Sequence, residues 1–357
     1  MYPIFFICLS LFLSVSCSAG QSGHSRVIEK NHKAPNVILI TLDGVRPSEF
    51  FAGMGSEHGL PEDRSENFFF PGFWSQLSHS GQVYGFHPAE SLFTIGSPQN
   101  LSLPSYHSLF LGQTSECLNN QCTYQGAGTL FDQLLQDGML TERQIAAFTT
   151  WEPLKYALSA RPASFPVSAG FSKIFSGESL SPVLTELRSE NPEAYQKLVE
   201  IETAQNQDLP PWHHSRKDVY TWAMSINYLG YFKPKFLYIG LGDADELAHL
   251  GDRRGYLDTL LQYDRWLMEL HQWIDSDPDY KNNTIIIVTT DHGRGYGSGW
   301  QHHGPHIPES NHSWMYLKHP SIEATGLVRQ HPPMTQLMLR PYLARQFSLN
   351  GNPSFTN

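Results

Sequence analysis

Residues 284–304 read TIIIVTTDHGRGYGSGWQHHG. The opening run Thr284, Ile285, Ile286, Ile287 and Val288 is β-branched and too short for an ordinary helix. Bounded by polar residues, it reads as a buried strand. At its carboxyl end stand Asp291 and His292, followed by Gly293, Gly295, Gly297 and Gly299 and then by His303. In an open α/β sheet the ligand crevice lies outside the carboxyl ends of the strands. A carboxylate beside an imidazole at that edge, with a second imidazole across a glycine-rich loop, is a candidate metal site. An ordinary polar turn after a strand would look the same, so the rest of the chain has to decide.

Outward from this strand, two others end in the same way. Asn36–Leu42 (NVILITL) is almost continuously apolar, as a parallel strand covered on both faces should be, and it runs into Asp43-Gly44-Val45-Arg46. A strand at 235–239 delivers GLGDADELAHLGD, residues 240–252, to the same edge. The spacing Asp245-x-x-x-His249 puts both side chains on one face if the segment is helical. Between the first and later strands lies GSPQNLSLPSYHSLFLG, residues 96–112. There residues 105–111 predict a helix with Pro104 near its first turn. Ser102 then sits at a helix start, where free N–H groups favour an anionic or phosphorylated state. The competing reading is a simple N-cap.

The remaining pattern alternates strand and helix. Residues 73–77 open a helix, 128–138 form one closing at Gly138, and 144–149 form a short strand. Helices are expected over 192–204, 216–229, 254–274 and 334–347, and a last strand over 313–317. This order predicts an α/β domain over residues 36–357, a mostly parallel central sheet with helices on both faces. The Pro-rich stretch 160–212 is expected as a loop-rich insertion over the site.

Composition describes a globular chain and excludes some classes. At 357 residues with 40% hydrophobic and 16% charged residues there is ample core. A net charge of −10 without a Lys/Arg stripe argues against nucleic-acid binding. Residues 4–15 are apolar but too short to span a bilayer, and small residues follow, so 1–19 reads as an export signal and 20–35 as a flexible leader. No Lys or Arg precedes the apolar run; cleavage before Cys17 with lipid attachment is the alternative, and the only route to a membrane. Cys117 and Cys122 remain as a pair in a polar loop, and in an exported chain such a pair predicts a disulfide.

Asp43, Asp245, His249, Asp291, His292 and His303 offer six oxygen and nitrogen donors and no thiolate. That set suits two divalent ions of the zinc or manganese kind. Two such ions about 3.5–4 Å apart clamp the attacking and leaving oxygens of an in-line displacement. Taken in order, ITLDGVR, SLPSYHS, GLGDADELAH, VTTDHGRG and WQHHG resemble the alkaline phosphatase superfamily of metallohydrolases, and most of all its phosphodiesterase/phosphatase-like bacterial members. The likeness spans roughly residues 36–320 and takes in AFTTWEPL and RPASFPVSAGF. It implies one ion on Asp245, His249 and His303, a second on Asp43, Asp291 and His292, and Ser102 as a nucleophile beside the second.

The chain departs from these relatives in places. Many diesterases have Thr at the nucleophile and Asn soon after the following Pro, where this chain has Ser102 and Ser105; a phosphate monoester is therefore the expected small substrate. The sulfatase pattern Cys-x-Pro-x-Arg is absent. His302 and His306 rival His303 as ligand. Arg46, Arg294 and Asn100 are candidates for holding the transferred group. The alternatives are a diesterase or phosphotransferase of the same superfamily and, outside enzymes, an exported zinc-capture protein.

Overall fold

The computed structural model describes residues 34–52, 69–86, 90–348 and 355. The expected signal peptide, Cys17 and most of the expected leader lie outside the described residues. From Ala34 onward the chain is one compact unit. Its strands are β1 (Asn36–Leu42), β2 (Gln82–Tyr84), β3 (Phe93–Thr94), β4 (Ile145–Thr149), β5 (Val167–Ala169), β6 (Phe236–Leu241), β7 (Thr284–Thr289), β8 (Met315–Lys318), β9 (Gly326–Leu327) and β10 (Met334–Thr335). Its helices are α1 (Pro47–Phe50), α2 (Ser102–Leu111), α3 (Leu130–Gln136), α4 (Lys155–Leu158), α5 (Pro182–Glu190), α6 (Pro192–Ala204), α7 (Asp218–Phe232), α8 (Asp243–His249), α9 (Arg253–Ser276) and α10 (Leu339–Gln346).

Eight strands form the main sheet in the order β5-β4-β6-β1-β7-β8-β2-β9. It is mostly parallel; β8 runs antiparallel to both β7 and β2. The apolar run of β1 is explained by its place between β6 and β7, with all seven residues buried. Alternate side chains go to opposite faces. Ile38, Ile40, Leu42, Leu237, Ile239, Ile286 and Val288 join a core with Tyr228 and Leu229 of α7 and with Leu260, Tyr263, Leu267, Leu270 and Ile274 of α9. Val37, Leu39, Phe236, Tyr238, Ile285 and Ile287 join a second core with α2, α3 and α10 through Tyr106, Phe110, Phe131, Leu134, Tyr342 and Leu343. Each fully buried side chain of this size contributes about 1.5–3 kcal/mol of transfer free energy. The expected architecture, a mostly parallel sheet with helices on both faces, is the one the chain adopts.

Local differences have local causes. Residues 73–77 form a π-helical turn, which continues into a 3₁₀ turn at Ser78–Ser80. Asp264 of α9 fixes its start by accepting from the N–H groups of Gly72 and Phe73 at 2.8 and 2.7 Å. The helix expected over 334–347 begins later. Pro332 and Pro333 keep the approach extended, Met334–Thr335 pairs with Phe93–Thr94 as β10, and α10 starts at Leu339. Segment 160–212 supplies the edge strand β5 together with α5 and α6, and α6 packs on α7. Strands β2, β5 and β9 are two or three residues long, too short for a period to show. No helix among the described residues is long and apolar enough to cross a membrane.

Under the β7–β8 half of the sheet His271 of α9 is buried, with Nδ1 2.8 Å from the Leu267 carbonyl and Nε2 3.3 Å from the Tyr316 hydroxyl. A carbonyl only accepts, so Nδ1 carries the proton and the ring is satisfied as the neutral form. Burial pulls its pKa down to about 4. The unfolded chain therefore takes up this proton first, near pH 6.5, and stability is lost as pH falls from there toward 4. His271→Gln removes the titration. In urea denaturation the stability difference between pH 7 and pH 4.5 should be smaller than in wild type by roughly 2–3 kcal/mol.

Candidate active site

Parallel register brings level the three turns that carry the candidate ligands. Thr41 of β1 lies opposite Gly240 of β6 and Thr289 of β7, so Asp43, the start of α8 and Asp291 all emerge at one edge, in the middle of the sheet. Asp43, Asp291 and His292 are buried, at 4%, 0% and 0% exposure. Gly44 adopts φ +66° and donates its N–H to Asp291 Oδ1 at 3.1 Å. His292 N–H donates to the same oxygen at 2.9 Å.

The tautomer of His292 follows from its neighbours. Nδ1 stands 3.0 Å from the Gly293 carbonyl, so it is the protonated nitrogen and Nε2 presents its lone pair. Around Nε2 lie Ser102 Oγ at 3.2 Å, Asp43 Oδ1 at 3.4 Å, Asp291 Oδ2 at 3.5 Å and Asp245 Oδ1 at 3.8 Å. Three carboxylate oxygens and a lone pair thus converge, with one hydroxyl proton to share. Asp43 Oδ1 and Asp291 Oδ2 have no hydrogen-bond partner among the described residues. Burial lifts Asp291 to about 7. Burial first, and then the Asp291 charge, hold Asp43 well above the usual carboxylate range. Burial keeps the His292 ring on the neutral side. Oxygen and imidazole donors arranged in this way fit a divalent cation.

Two trios come within ligand reach of one another: Asp43, Asp291 and His292, and Asp245, His292 and His303. His249 lies outside both. The helix α8 places it one turn beyond Asp245, with Nε2 3.2 Å from Asp245 Oδ2 and 3.1 Å from His303 Nε2, on the exposed rim. Two nitrogens on one tetrahedral zinc, each about 2.0–2.1 Å from it, would stand roughly 3.3 Å apart. His303 Nδ1 is fixed by the Asn100 carbonyl at 2.8 Å, and its ring stacks on His292 at 3.7 Å. Burial, reinforced by His292, holds it well below its ordinary pKa, so its Nε2 lone pair is free to bind. His302 and His306 are exposed, whereas the His303 side chain is 5% exposed.

Ser102 is the first residue of α2 and its hydroxyl faces His292. Leu101 is the residue at the cap position, and it makes no side-chain cap bond. The hydroxyl is therefore not spent on the helix end. Asn100 holds φ +50° and donates Nδ2 to the Gly304 carbonyl at 3.3 Å, while its Oδ1 is buried without a partner among the described residues. Arg294 lays Nη2 on Asp245 Oδ1 and gives Nη1 to the Gln301 carbonyl at 2.8 Å. Burial lowers its pKa to about 9, which leaves it charged at neutral pH. Arg46 is buried against Glu49 and the Gly295 carbonyl. Cys117 and Cys122 are joined as a disulfide, Cα to Cα 5.9 Å.

Two supporting residues escaped the sequence reading. Tyr106, one turn along α2 from Ser102, gives its hydroxyl to Asp43 Oδ2 at 3.2 Å. Asp218 accepts the N–H groups of Gly242 and Asp243 at 2.8 and 2.9 Å, and so fixes the start of α8. In sequence Asp218 looks like any acid in a helix first turn.

Gly44 leaves no room for a side chain. A Cβ there would lie 2.8 Å from both Arg294 Nε and Asp245 Oδ1, on a backbone that side chains disfavour. Gly44→Ala should lower unfolding free energy by roughly 1–3 kcal/mol in urea titration.

No family model matches the sequence, and no curated relative matches it. Solved structures do. The lipoteichoic acid synthase LtaP from Listeria monocytogenes aligns with a TM-score of 0.57 at 10% identity, over 91% of this chain and 75% of that one. The soluble domain of lipooligosaccharide phosphoethanolamine transferase A from Neisseria meningitidis gives 0.53 at 10% identity, over 90% and 91%. Phosphonate monoester hydrolase of Agrobacterium radiobacter gives 0.51 at 13% identity, over 88% and 73%. The mostly parallel sheet with helices on both faces is thus an alkaline phosphatase-like fold, shared with these solved structures.

Proposed function

We propose that the protein is an exported, metal-dependent hydrolase of small phosphate esters, with Ser102 as nucleophile. The observation that carries this reading is the Ser102 hydroxyl, 3.2 Å from His292 Nε2 and free of any capping role. A zinc-capture protein needs donors but no hydroxyl among them.

Asp43, Asp291 and His292 would hold one divalent ion, and Asp245, His303 and His249 another, zinc or manganese by donor type. When bound, such ions lower the pKa of a serine hydroxyl and of water and balance phosphoryl charge. The chain's own residues do the positioning. Tyr106 orients Asp43, the Asn100 carbonyl sets the His303 tautomer, and Arg294 places a positive charge beside Asp245. Ser102 Oγ bonds to phosphorus as the ester oxygen leaves with a proton. Water then breaks the Oγ–P bond, releasing phosphate and restoring the hydroxyl. A monoester fits better than a diester because Ser102 and Ser105 replace the Thr and Asn of diesterase relatives. A phosphotransferase would differ only in the acceptor, an alcohol in place of water.

Ser102→Ala should keep the fold and metal content while turnover of aryl phosphate monoesters falls by roughly 10²–10⁴-fold. Turnover within a few-fold of wild type on every ester hydrolysed would refute the nucleophile. Elemental analysis should find two divalent ions per chain, and chelation should abolish hydrolysis. Asp291→Ala or His292→Ala should each lose at least one ion; full occupancy and full rate in both would mean the ligands are elsewhere.

A further inference from the structure

Helix α2 carries Ser102 at its first position, yet its own sequence supplies little to hold that end. Leu101 offers no capping oxygen, and Pro104 has no N–H. Ser105 N–H bonds back to the Leu101 carbonyl at 3.0 Å. The Leu103 N–H, next to the nucleophile, is instead taken by Asn120 Oδ1 at 3.0 Å. Asn120 lies beyond the other end of the same helix. The chain leaves α2 at Gly112 with φ +65°, turns back, and is anchored midway where Ser115 N–H meets Ser108 Oγ at 3.0 Å. It then closes on itself through Cys117–Cys122, with Asn120 inside the ring.

Cys117 is buried, but Leu118, Asn119, Asn120 and Gln121 are exposed. Apart from the disulfide and the bond from Leu103, the bonds that shape the ring tip among the described residues are local, such as Gln121 N–H to Asn119 Oδ1 at 2.9 Å. One partly exposed hydrogen bond contributes less than ordering four exposed residues costs. A covalent closure removes most of that freedom beforehand.

Resting on the hydrolase reading above, we infer that Asn120 is a positioning residue and that the Cys117–Cys122 disulfide holds it as an external cap on the nucleophile helix. The disulfide then does more than stabilise a surface loop: Ser102 is fully placed only in compartments where disulfides persist.

The test uses the full, metal-loaded chain with ¹⁵N-leucine labelling, so that amide exchange at Leu103 is read directly. Phosphate monoester kinetics are run in parallel. Asn120→Ala, and wild type after disulfide reduction, should raise Leu103 exchange at least tenfold. Both should lower kcat several-fold or more with little change in KM, whereas Asn120→Asp, which keeps an acceptor oxygen, should retain both properties. Reduction avoids the risk that replacing buried Cys117 disturbs folding. Unchanged exchange in Asn120→Ala and in reduced protein would overturn the inference, as would raised exchange with unaltered kcat. If Ser102→Ala retains wild-type turnover, the nucleophile assignment fails instead, and the exchange measurement still decides the cap.

Discussion

The constraint on which this structure depends is the level register of three parallel strands. Because β6, β1 and β7 are paired residue for residue, their carboxyl ends meet in one plane. The side chains that follow, Asp245, Asp43 and Asp291, are forced together around His292. Nothing in their own chemistry favours that meeting. Burial raises the cost of every ionised carboxylate, and the apolar faces of the sheet on either side offset it. A one-residue slip of β7 against β1 would send Ile286 and Val288 to the opposite core and carry Asp291 away from Gly44. Fold and site are therefore specified by the same pairing.

The layers were readable in the sequence because they rest on long signals. NVILITL and TIIIVT are continuous apolar runs, and α9 repeats its apolar residues at helical spacing through Leu260, Tyr263, Leu267, Leu270 and Ile274. Strand ends alone placed Asp43, Asp245 and Asp291 with His292 at one edge, whereas the grouping of Asp43, Asp291 and His292 as one set came from the resemblance. What could not be read was contact between distant segments. Asp218, Tyr106 and Asn120 meet the site through hydrogen bonds between segments distant in sequence, and none has a local pattern that differs from a turn or helix-end residue. Helix starts were also blurred: Ser102 was legible as a hydroxyl at a helix end, but whether it capped that end depended on where Leu101 turned.

The two trios share His292, whereas the resemblance divides the ligands into separate threes. The difference lies in His249. An i,i+4 step on α8 sets it beside Asp245, but α8 is seven residues long and ends there, leaving the ring on the rim. His303, by contrast, is locked by Asn100 and stacked on His292. The Asp43 side of the site is thus built into the core, while the His249 side is built on a helix end.

Charge balance separates a metal-site reading from a purely structural one. Arg46 is neutralised by Glu49, so it does not count toward the cluster. Among the described residues, Asp43, Asp245 and Asp291 then face a single buried cation, Arg294, and that guanidinium bonds to Asp245 and the Gln301 carbonyl. A structural cluster of buried acids is expected to satisfy its oxygens with donors, as Asp218 does with Thr150, Tyr263 and two backbone N–H groups. Among the described residues, Asp43 and Asp291 each keep one oxygen without such a donor, and both oxygens look toward the imidazole lone pair. Either protons or cations must compensate. Burial, offset in part by hydrogen bonds from the Gly44 and His292 N–H groups, raises Asp291 to about 7, so near neutral pH its proton is loosely held and a divalent ion that displaces it meets little resistance. The Ser102 hydroxyl stands at that same point, 3.2 Å from His292 Nε2, where the proposed reaction needs it.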